Sequence, residues 1–447
     1  MKILISDIVK ATQGQCFGVN LSEFVVDFTT DSRKVKKGSC FIALRGERFD
    51  GHDFIQDVVQ QGASVCIVDH KIEHAPCIVV HNTIQALGQL GVLYSTLFSP
   101  IMVGITGSVG KTTTKGFLEN ILSHRFSVLC SPKSFNNNIG IPLTFFELKK
   151  EHEIVIMEMG TNHPREIAEL SQMVRPKIGV LTSVAESHLE GFGTLEEVAR
   201  EKGDLLKGMD ENSTLIYNED NIFCSQIAEK FSGKKIGYSI KTLSNIQSDA
   251  FHISFELENI SFLANIAGMH NLSNLLAAIF VAHELGMSFS EIANTMDNVK
   301  LPERRLERTE LQNIVFLNDA YNANPASMIV ALQYLKTYPG NRRIAILGNM
   351  LELGEKSTFF HEKIGESLDN ISILFCIGTL AKHISIKAKQ LYPHLETYTY
   401  ETWEHAKQQL IDILQSGDVL LFKGSRRMEL DQLCDYCIEH IKNNNEK

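Results

Sequence analysis

The chain has 447 residues, of which 44% are hydrophobic and 21% are charged, and its formal net charge is −10. This composition is ordinary for globular proteins, and the length predicts roughly two to four domains, each able to bury its own core. The acidic balance argues against a general nucleic-acid surface, and no apolar run in the sequence reaches the roughly 18 residues that a membrane span needs.

Residues 1–98 predict a small α/β domain. Strand-like runs cover residues 24–28, 39–45, 64–68 and 77–80, and helix-like segments cover residues 54–61 and 83–97. Polar and glycine residues cluster between Asp27 and Asp53. The acid at Asp7 comes too early to be typical of a secretory signal, so we expect a cytoplasmic protein.

A phosphate-binding loop is predicted at residues 104–113, which read GITGSVGKTT. The segment follows the apolar run 101–103 and precedes a helix-like segment, as such a loop requires. Backbone N–H groups and the helix N-terminus would bind phosphate, Lys111 would reach the outer phosphates, and Thr112 would ligate Mg²⁺. The glycine spacing departs from the general motif, which would place its first glycine at Ile105. An ordinary glycine-rich turn is the alternative, but the pattern favours binding of ATP or a similar nucleotide.

From residue 100 onward, apolar strands alternate with helices, which predicts a parallel sheet covered on both faces. The predicted strands are residues 101–105, 128–130, 154–159, 178–184 and 214–217. Residues 234–267 are more irregular and favour an antiparallel region, and two helices are predicted at 271–285 and 290–296. This pattern is typical of a nucleotide-binding domain.

Three side chains of this region are candidates for chemistry. Glu158 ends an apolar strand, where a carboxylate would ligate Mg²⁺ or simply face solvent. His188 follows the next strand, a place where a loop histidine is more often structural than a ligand. Lys202 lies in a predicted helix, residues 194–206, and its position alone does not distinguish it from a surface lysine.

Several amides form a second group of candidates. The tract 136–138 has three consecutive asparagines, which would orient a phosphate or a metal-bound water, or serve only in a turn. Asn271 and Asn274 lie on one face of a helix, where they would recognise a base or cap the helix. Residues 319–325, DAYNANP, follow a strand at the ligand-binding edge of another sheet.

The last third predicts a smaller α/β domain. A charged, proline-containing segment at residues 301–308 suits a hinge, and strands are predicted at 314–318, 343–347, 371–377 and 419–422. Nine scattered cysteines fit free thiols in a reducing cytosol. The one close pair, Cys434 and Cys437, has helical spacing and no second pair, which favours a structural role.

Taken together, these motifs resemble the Mur ligase family, the ATP-dependent amino-acid ligases of bacterial cell-wall precursor synthesis. The matching segments in this chain are GITGSVGKTT, FNNNIGIPLT, VIMEMG, SHLEGFG, GMHNLSNLLAA, RRLE and NDAYNANPAS, which span nearly the whole chain in order. The resemblance implies a domain for a uridine-diphosphate sugar (1–98), a central ATP-binding domain (99–308) and a C-terminal domain (309–447). Lys133 and Ser134 depart from the glycine-asparagine pair that is common before the asparagine tract.

The resemblance also implies roles for particular residues. Nucleotide-binding candidates are Gly107, Ser108, Gly110, Lys111, Thr112, Thr113, Asn271, Asn274, Arg305 and Asp319, and metal candidates are Thr112, Glu158, His188 and Lys202. Catalytic candidates are Lys111, His188, Lys202, Arg305 and Asp319, and substrate-binding candidates are Ser32, Arg33, Arg45, Gly46, Asp50, His52, Asn137, Asn322 and Asn324. Lys202 matches a lysine that some relatives carry as a carbamate. Arg304 is the alternative to Arg305.

Within the family, the YNANP motif and the N-terminal DSR and ALRGERFDGHDF segments look most like the member that joins D-alanyl-D-alanine to UDP-N-acetylmuramoyl-tripeptide. That resemblance implies an acyl-phosphate intermediate, ATP and Mg²⁺ as cofactors, and a monomer with small-molecule substrates. A ligase adding the third peptide residue would be expected to carry Asp-Asn-Pro-Arg where residues 323–326 read Ala-Asn-Pro-Ala. Folylpolyglutamate synthase and a regulatory nucleotide switch are further alternatives, but neither needs a sugar-nucleotide domain.

Overall fold

A computed structural model describes residues 2–46, 49–132 and 135–444 of the chain, so Lys133 and Ser134 lie outside the described residues. The described residues form three successive α/β units, each built around one main sheet. The predicted fold class is confirmed: a small α/β unit, a central parallel-sheet unit and a C-terminal α/β unit. Within the described ranges, no helix is long and apolar enough to cross a membrane.

The first unit has a five-stranded sheet in the order β2-β7-β6-β5-β4, with an antiparallel β1-β3 pair beside it. Its elements are β1 (Ile3–Leu4), α1 (Ile5–Thr12), β2 (Gln15–Phe17), β3 (Phe24–Val25), β4 (Asp27–Thr29), β5 (Ser39–Ile42), α2 (Ile55–Gln60), β6 (Val65–Val68), β7 (Cys77–Val79) and α3 (Thr83–Ser95). Strands β4 to β7 are parallel, and every residue of β5 and β6 is buried. Such continuous burial is typical of a parallel sheet covered on both faces.

The central unit has a six-stranded parallel sheet in the order β13-β12-β11-β8-β10-β9 and a three-stranded antiparallel sheet, β14-β15-β16. Its strands are β8 (Ile101–Thr106), β9 (Val128–Cys130), β10 (Ile154–Glu158), β11 (Ile178–Leu181), β12 (Thr214–Asn218), β13 (Lys234–Tyr238), β14 (Ser244–Ser248), β15 (Ile253–Leu257) and β16 (Ile260–Ala264). Its helices are α4 (Lys111–Leu122), α5 (Gly140–Phe146), α6 (Glu166–Val174), α7 (Leu189–Phe192), α8 (Leu195–Gly203), α9 (Ile222–Glu229), α10 (Met269–Glu284) and α11 (Phe289–Ala293).

The strand order places the phosphate loop where this sheet can bind a ligand. After β8 the chain forms β9 and β10, which lie on one side of β8 in the sheet. It then forms β11, which lies on the other side of β8. Such a switch point opens a crevice beyond the carboxyl ends of the strands. The ends of β8, β10 and β11 therefore bring the phosphate loop, Glu158 and Thr182 to one place.

Two sequence expectations for the central unit need correction. The irregular region predicted at 234–267 begins with β13, which pairs in parallel with β12, and only the later strands are antiparallel. Gly104, which the predicted strand 101–105 and the predicted loop 104–113 both included, lies inside β8 and not in the loop. A β-carbon there would lie 2.6 Å from Met159 Cε and 3.1 Å from Pro176 Cβ, so close packing on the sheet explains this glycine.

The C-terminal unit has a six-stranded sheet in the order β17-β18-β22-β19-β20-β21, in which only β17 is antiparallel to its neighbour. Its elements are β17 (Glu307–Leu311), β18 (Ile314–Asn318), α12 (Pro325–Thr337), β19 (Arg342–Gly348), α13 (Ser357–Gly365), β20 (Ile373–Ile377), α14 (Lys382–Leu391), β21 (Glu396–Tyr400), α15 (Trp403–Ile413), β22 (Asp418–Lys423) and α16 (Leu430–Asn444). The sequence analysis missed the two edge strands, β17 and β21. Glu307 already belongs to β17, just before the predicted domain boundary at 308.

Candidate functional site

The phosphate loop lies between β8 and α4, at the middle of the central sheet. Gly107 and Gly110 have φ values of +148° and +91°, which glycine adopts at little cost. A β-carbon at Gly107 would lie 2.1 Å from Thr182 Oγ1, and one at Gly110 would lie 2.1 Å from Asn274 Oδ1. Both backbone conformation and close packing therefore require glycine at these positions.

Lys111, the first residue of α4, folds back over the loop. Its Nζ donates to Gly107 O at 2.7 Å and lies 3.4 Å from Ser108 O. The Ser108 hydroxyl donates to Ala185 O at 3.0 Å, which ties the loop to the segment after β11. Burial lowers the pKa of Lys111, and Glu158 acts in the opposite direction. The ammonium group is thus held where anionic oxygens bound in the loop would meet it.

Glu158, at the end of β10, faces the loop with both carboxylate oxygens. The Thr112 hydroxyl donates to Glu158 Oε2 at 2.9 Å, and Asn136 Nδ2 donates to Oε1 at 2.9 Å. Lys115 Nζ lies 3.6 Å from Oε2. The Glu158 side chain is only 2% exposed, so its charge is held by these polar neighbours. A hydroxyl and a carboxylate side by side are oxygen donors of the kind that Mg²⁺ prefers, and the residues fit that ion.

The asparagine tract contributes a residue that the sequence analysis did not select. Asn136 is the amide that contacts Glu158. Asn137, the predicted substrate contact, lines the same polar cavity, but its Oδ1 accepts hydrogen bonds from the N–H groups of Ile139 and Gly140 at the start of α5. Three adjacent asparagines look alike in a sequence, so only the turn geometry distinguishes them.

Lys202 is buried on α8 and is not a surface lysine. Its side chain is 1% exposed, and its ammonium group makes no hydrogen bond with any residue in the described ranges. Burial and the nearby Lys111 lower the pKa of Lys202 well below its ordinary value, whereas Glu201 and Glu166 act in the opposite direction. A buried lysine without a hydrogen-bond partner is costly unless it is neutral or modified.

His188 connects the central and C-terminal units. It immediately precedes α7 with a φ of 52°, and its Nδ1 lies 2.5 Å from Glu352 Oε2. The close contact with the His188 ring is the main cause that lowers the pKa of Glu352. Both residues line a polar cavity of about 420 Å³ that also reaches the phosphate loop. Glu352 lies in a loop beyond β19 that carries no recognisable motif, so no sequence signal points to it.

A second cavity, of about 250 Å³, adjoins the other side of the loop. It is lined by Thr113, by His270, by the predicted Asn271 and Asn274, and by the unpredicted Asn218 and Asn221. Asn271 Nδ2 donates to Ala267 O at 2.7 Å, so this amide also fixes the start of α10. Burial lowers the pKa of His270 to about 4, which keeps the ring neutral. An amide-rich pocket beside a phosphate loop suits a nucleoside. The position of Asn218 at the end of β12 is the signal that could have identified it.

Arg305 faces the phosphate loop, whereas Arg304 does not. The Arg305 guanidinium lies 4.2 Å from the centre of the Tyr321 ring, and one of its nitrogens lies 3.5 Å from Thr112 Oγ1. Arg304 instead forms an ion pair with Asp431 on α16. The structure therefore favours the predicted Arg305 over its neighbour.

This difference predicts unequal effects of two matched substitutions. We expect Arg305→Ala to lower the rate of ATP-dependent turnover on the order of 10²–10³-fold, the scale of losing one electrostatic contact in the transition state. Arg304→Ala should change the rate less than about tenfold and mainly lower the free energy of unfolding, because it removes an ion pair with Asp431. Steady-state rates and denaturant melts of both variants measure this. Equal rate losses would contradict the assignment.

Asp319 follows β18, and its partner Lys423 ends the neighbouring strand β22. Lys423 Nζ donates to Asp319 Oδ2 at 2.6 Å and to Asn322 O at 3.1 Å. Asp319 Oδ1 accepts from Leu306 N–H at 3.2 Å, next to Arg305. The Lys423 side chain is 2% exposed. Sequence reasoning missed Lys423, although a lysine that ends a buried apolar strand is itself a signal.

The two asparagines of the YNANP motif have local partners. Asn324 Oδ1 accepts from Ser327 N–H at 2.8 Å, and the Ser327 side chain returns a bond to Asn324 N–H at 3.0 Å, which caps α12. Asn322 Oδ1 accepts from Ala323 N–H at 2.9 Å. Both asparagines line the polar cavity opposite the phosphate loop. The motif thus shapes the wall of the cavity that the C-terminal unit supplies.

The N-terminal candidates follow the carboxyl ends of two neighbouring parallel strands. Ser32 and Arg33 follow β4, while Arg45, Gly46, Asp50 and His52 follow β5. Arg33 donates two hydrogen bonds to Asp31, at 2.8 and 2.9 Å, and its side chain is exposed. The hydrogen bond from His52 N–H is the largest cause that lowers the pKa of Asp50 to about 2. This edge is again where such sheets bind ligands.

Comparison with known proteins gives this geometry a context. Three family models match the chain: "Mur ligase family, catalytic domain" over residues 27–91, "Mur ligase middle domain" over 105–282 and "Mur ligase, glutamate ligase domain" over 304–426. The UDP-N-acetylmuramoyl-tripeptide–D-alanyl-D-alanine ligase of Bacillus subtilis is 31% identical over 98% of this chain and 99% of its own length. The chain belongs to the Mur ligase family. The ligase of the same name from Escherichia coli is 31% identical over 97% of this chain and 98% of its own.

Solved structures of Mur ligases share the whole fold. A MurF from Acinetobacter baumannii superposes with a TM-score of 0.90 at 29% identity, covering 98% of this chain and 99% of its own. A MurF from Thermotoga maritima, solved in complex with ADP, has a TM-score of 0.84 at 28% identity, covering 94% and 98%. The family assignment made from the motifs is therefore confirmed.

Proposed function

We propose that this chain is the ATP-dependent ligase that joins D-alanyl-D-alanine to UDP-N-acetylmuramoyl-tripeptide, giving the pentapeptide, ADP and phosphate. One structural observation supports the proposal independently of the names of the relatives. The phosphate loop and Glu158 of the central unit face Arg305, Tyr321 and Asn322 across one polar cavity. A nucleotide's outer phosphate and a second substrate can therefore meet between the two units.

The proposed roles of the units follow from where their candidates lie. Residues 1–98 would hold the uridine-diphosphate end of the acceptor, residues 99–308 would hold ATP, and residues 309–447 would close over ATP and hold the incoming dipeptide. The 250 Å³ cavity with its asparagines suits adenosine, because its amides offer both donors and acceptors. All substrates are small molecules. Nine free cysteines favour a cytoplasmic location, and we propose a monomer.

The reaction has to make a carboxylate reactive toward an amine. The γ-phosphoryl group of ATP passes to the terminal carboxylate of the tripeptide, and the dipeptide amine then attacks the acyl carbon and expels phosphate. Phosphoryl transfer depends mainly on positioning and charge neutralisation. Lys111 and Arg305 would supply positive charge on two sides of the transferred group. His188 is a candidate base for the attacking amine.

Mg²⁺ is proposed as the accompanying metal ion. Thr112 and Glu158 would hold it, with His188 and a modified Lys202 as further candidates, and the ion would neutralise charge on the phosphate oxygens. Because an acyl phosphate hydrolyses in water, the residues of the cavity would also have to exclude solvent. The turn at residues 304–308 remains the proposed hinge for that closure.

Lys202 gives a separate prediction. Burial lowers the pKa of the Lys202 amine, which favours the uncharged form that can add CO₂ and lose a proton to make a carbamate, a group that resembles a carboxylate. We expect Lys202→Ala to lose most of its activity and to regain part of it when a short carboxylic acid is added to the assay. The parent protein should also slow in CO₂-depleted buffer and recover with bicarbonate. Rates unaffected by both treatments, with a bare amine in a high-resolution map, would contradict the carbamate.

An isotope experiment tests the acyl phosphate directly. Acceptor labelled with ¹⁸O in its terminal carboxylate should transfer one ¹⁸O to the released phosphate, since the C–O bond of the acyl phosphate breaks when the amine attacks. Mass spectrometry of the phosphate measures this. Unlabelled phosphate from a complete reaction would contradict the mechanism. A parallel reaction without D-alanyl-D-alanine controls for ATP hydrolysis by water.

A further inference from the structure

A group of metal-ligating side chains lies outside the ATP site, at the carboxyl end of β6. His52, Asp69 and His70 each offer one ligand atom, and these three atoms lie within 4.8 Å of one another. His52 Nε2 lies 3.2 Å from Asp69 Oδ1, and His70 Nδ1 lies 2.5 Å from the same oxygen. The two imidazole rings stack with their centroids 5.0 Å apart. Two separate segments of the chain therefore place two imidazoles and a carboxylate together.

The hydrogen bonds of His52 determine which ring nitrogen carries its proton. The backbone N–H of Asp69 can only donate, and it lies 3.2 Å from His52 Nε2, so Nε2 must accept. The Nδ1 atom must then hold the proton, which it donates to Asp50 Oδ1 at 2.6 Å. A carboxylate on one ring nitrogen with the other nitrogen unprotonated is the usual arrangement of a metal-bound histidine. His52 thus already has the tautomer that a metal ion needs.

Arg45 orients the two carboxylates without occupying the ligand atoms. It lies 2.8 Å from Asp50 Oδ2 and 3.3 Å from Asp69 Oδ2, the outer oxygen of each group. The inner Oδ1 atoms are left facing the histidines. The side chain of His52 is 5% exposed, whereas that of His70 is 54% exposed. One ligand is thus fixed in the interior, and the site opens to solvent on the side of His70.

We propose that His52, Asp69 and His70 bind a divalent transition-metal ion. Zn²⁺ is the ion with which the test below probes this site. Two imidazoles and one carboxylate, with a water as fourth ligand, suit zinc, whereas Mg²⁺ prefers oxygen ligands. The ion would replace the Asp69 N–H group as the partner of His52 Nε2. It would then join His52, which follows β5, to the end of β6.

The test is titration of Zn²⁺ into nucleotide-free protein that has been treated with a chelator, followed by calorimetry. His70→Ala and Asp69→Asn should each weaken binding at least tenfold. Asp50→Asn, which removes the partner of His52 Nδ1, should weaken it by about 10- to 100-fold. The matched control is His74→Ala, an exposed histidine four residues further on, which should bind Zn²⁺ as the parent chain does. Because His70 is half exposed, its substitution should leave the thermal melt unchanged.

Cobalt provides an independent measurement, because its absorption spectrum reports its ligands. A site of two imidazoles and a carboxylate should give d–d bands of low-symmetry Co²⁺ without a sulfur charge-transfer band, and His70→Ala should abolish these bands. The proposal is overturned if the parent chain binds no Zn²⁺, or if His70→Ala and Asp69→Asn bind it with unchanged affinity. A sulfur-to-cobalt band would place the ion on cysteines and would equally overturn it.

Discussion

Lys111→Ala should lower the rate of ligation by at least about 10²–10³-fold while the chain stays folded. The substitution removes an ammonium group that folds over the phosphate loop. It leaves no carboxylate without a partner, because Glu158 keeps its hydrogen bonds from Thr112 and Asn136. Loss of a buried charge whose pKa is lowered by burial should cost little stability. Phosphate release and a thermal melt measure the two effects separately.

The matched control is Lys149→Ala. Lys149 is an exposed lysine whose Nζ lies 3.9 Å from Glu151 Oε1, and such an exposed pair contributes little stability. This variant should have the rate and melting temperature of the parent chain. If Lys111→Ala kept near-normal turnover, the assignment of the phosphate loop would be wrong.

Lys423→Met should have the second large effect, on both stability and activity. Removing one partner of a buried ion pair costs about 3–5 kcal/mol, because the other charge is left buried and unpaired. Here that charge is Asp319, which also accepts the Leu306 N–H next to Arg305. The methionine keeps the length of the side chain, so packing is largely preserved. Denaturant melts measure the free energy of unfolding. The rate at saturating ATP measures the activity lost when Asp319 no longer positions the backbone next to Arg305.

A double-mutant cycle with Asp319→Asn separates the pair from other effects. The double variant should be less destabilised than the sum of the single variants, since it leaves no lone charge, whereas each single variant leaves one. Lys336→Met is the control, because its partner Asp369 is more than half exposed and such pairs contribute about 0–1 kcal/mol. Additive losses for Lys423 and Asp319 would contradict the coupling between them.

The parts of the fold that the sequence predicted best are those in which pattern and packing agree. The central strands are continuous apolar runs, and β18, buried at every residue, has the bounds that its residues predicted. The edge strand β21, with the sequence Glu-Thr-Tyr-Thr-Tyr, has no fully buried residue and gave no such signal. Edge strands bury little surface, so their hydrophobic pattern is weak.

The residues of the candidate site divide in the same way, into those that a sequence motif identifies and those that only the packing identifies. Residues with a chemical motif, such as Lys111, could be placed from the sequence. Glu352 could not, because its importance comes from His188 on another loop. Lys423 offered only its place at a strand end, and its partner Asp319 lies more than 100 residues away in the chain. Lys202 is the reverse case: its sequence context resembles a surface helix, and only the packing of α8 shows that it is buried.

The most direct test of the central claim is a phosphate-release assay with ATP, Mg²⁺, UDP-N-acetylmuramoyl-tripeptide and D-alanyl-D-alanine, in which each component is omitted in turn. Phosphate should be released at a sustained rate only when both peptide substrates are present, with one pentapeptide formed for each phosphate. It should be run with tripeptides ending in diaminopimelate and in lysine. Phosphate release that is independent of the dipeptide, or none with either tripeptide, would contradict the account.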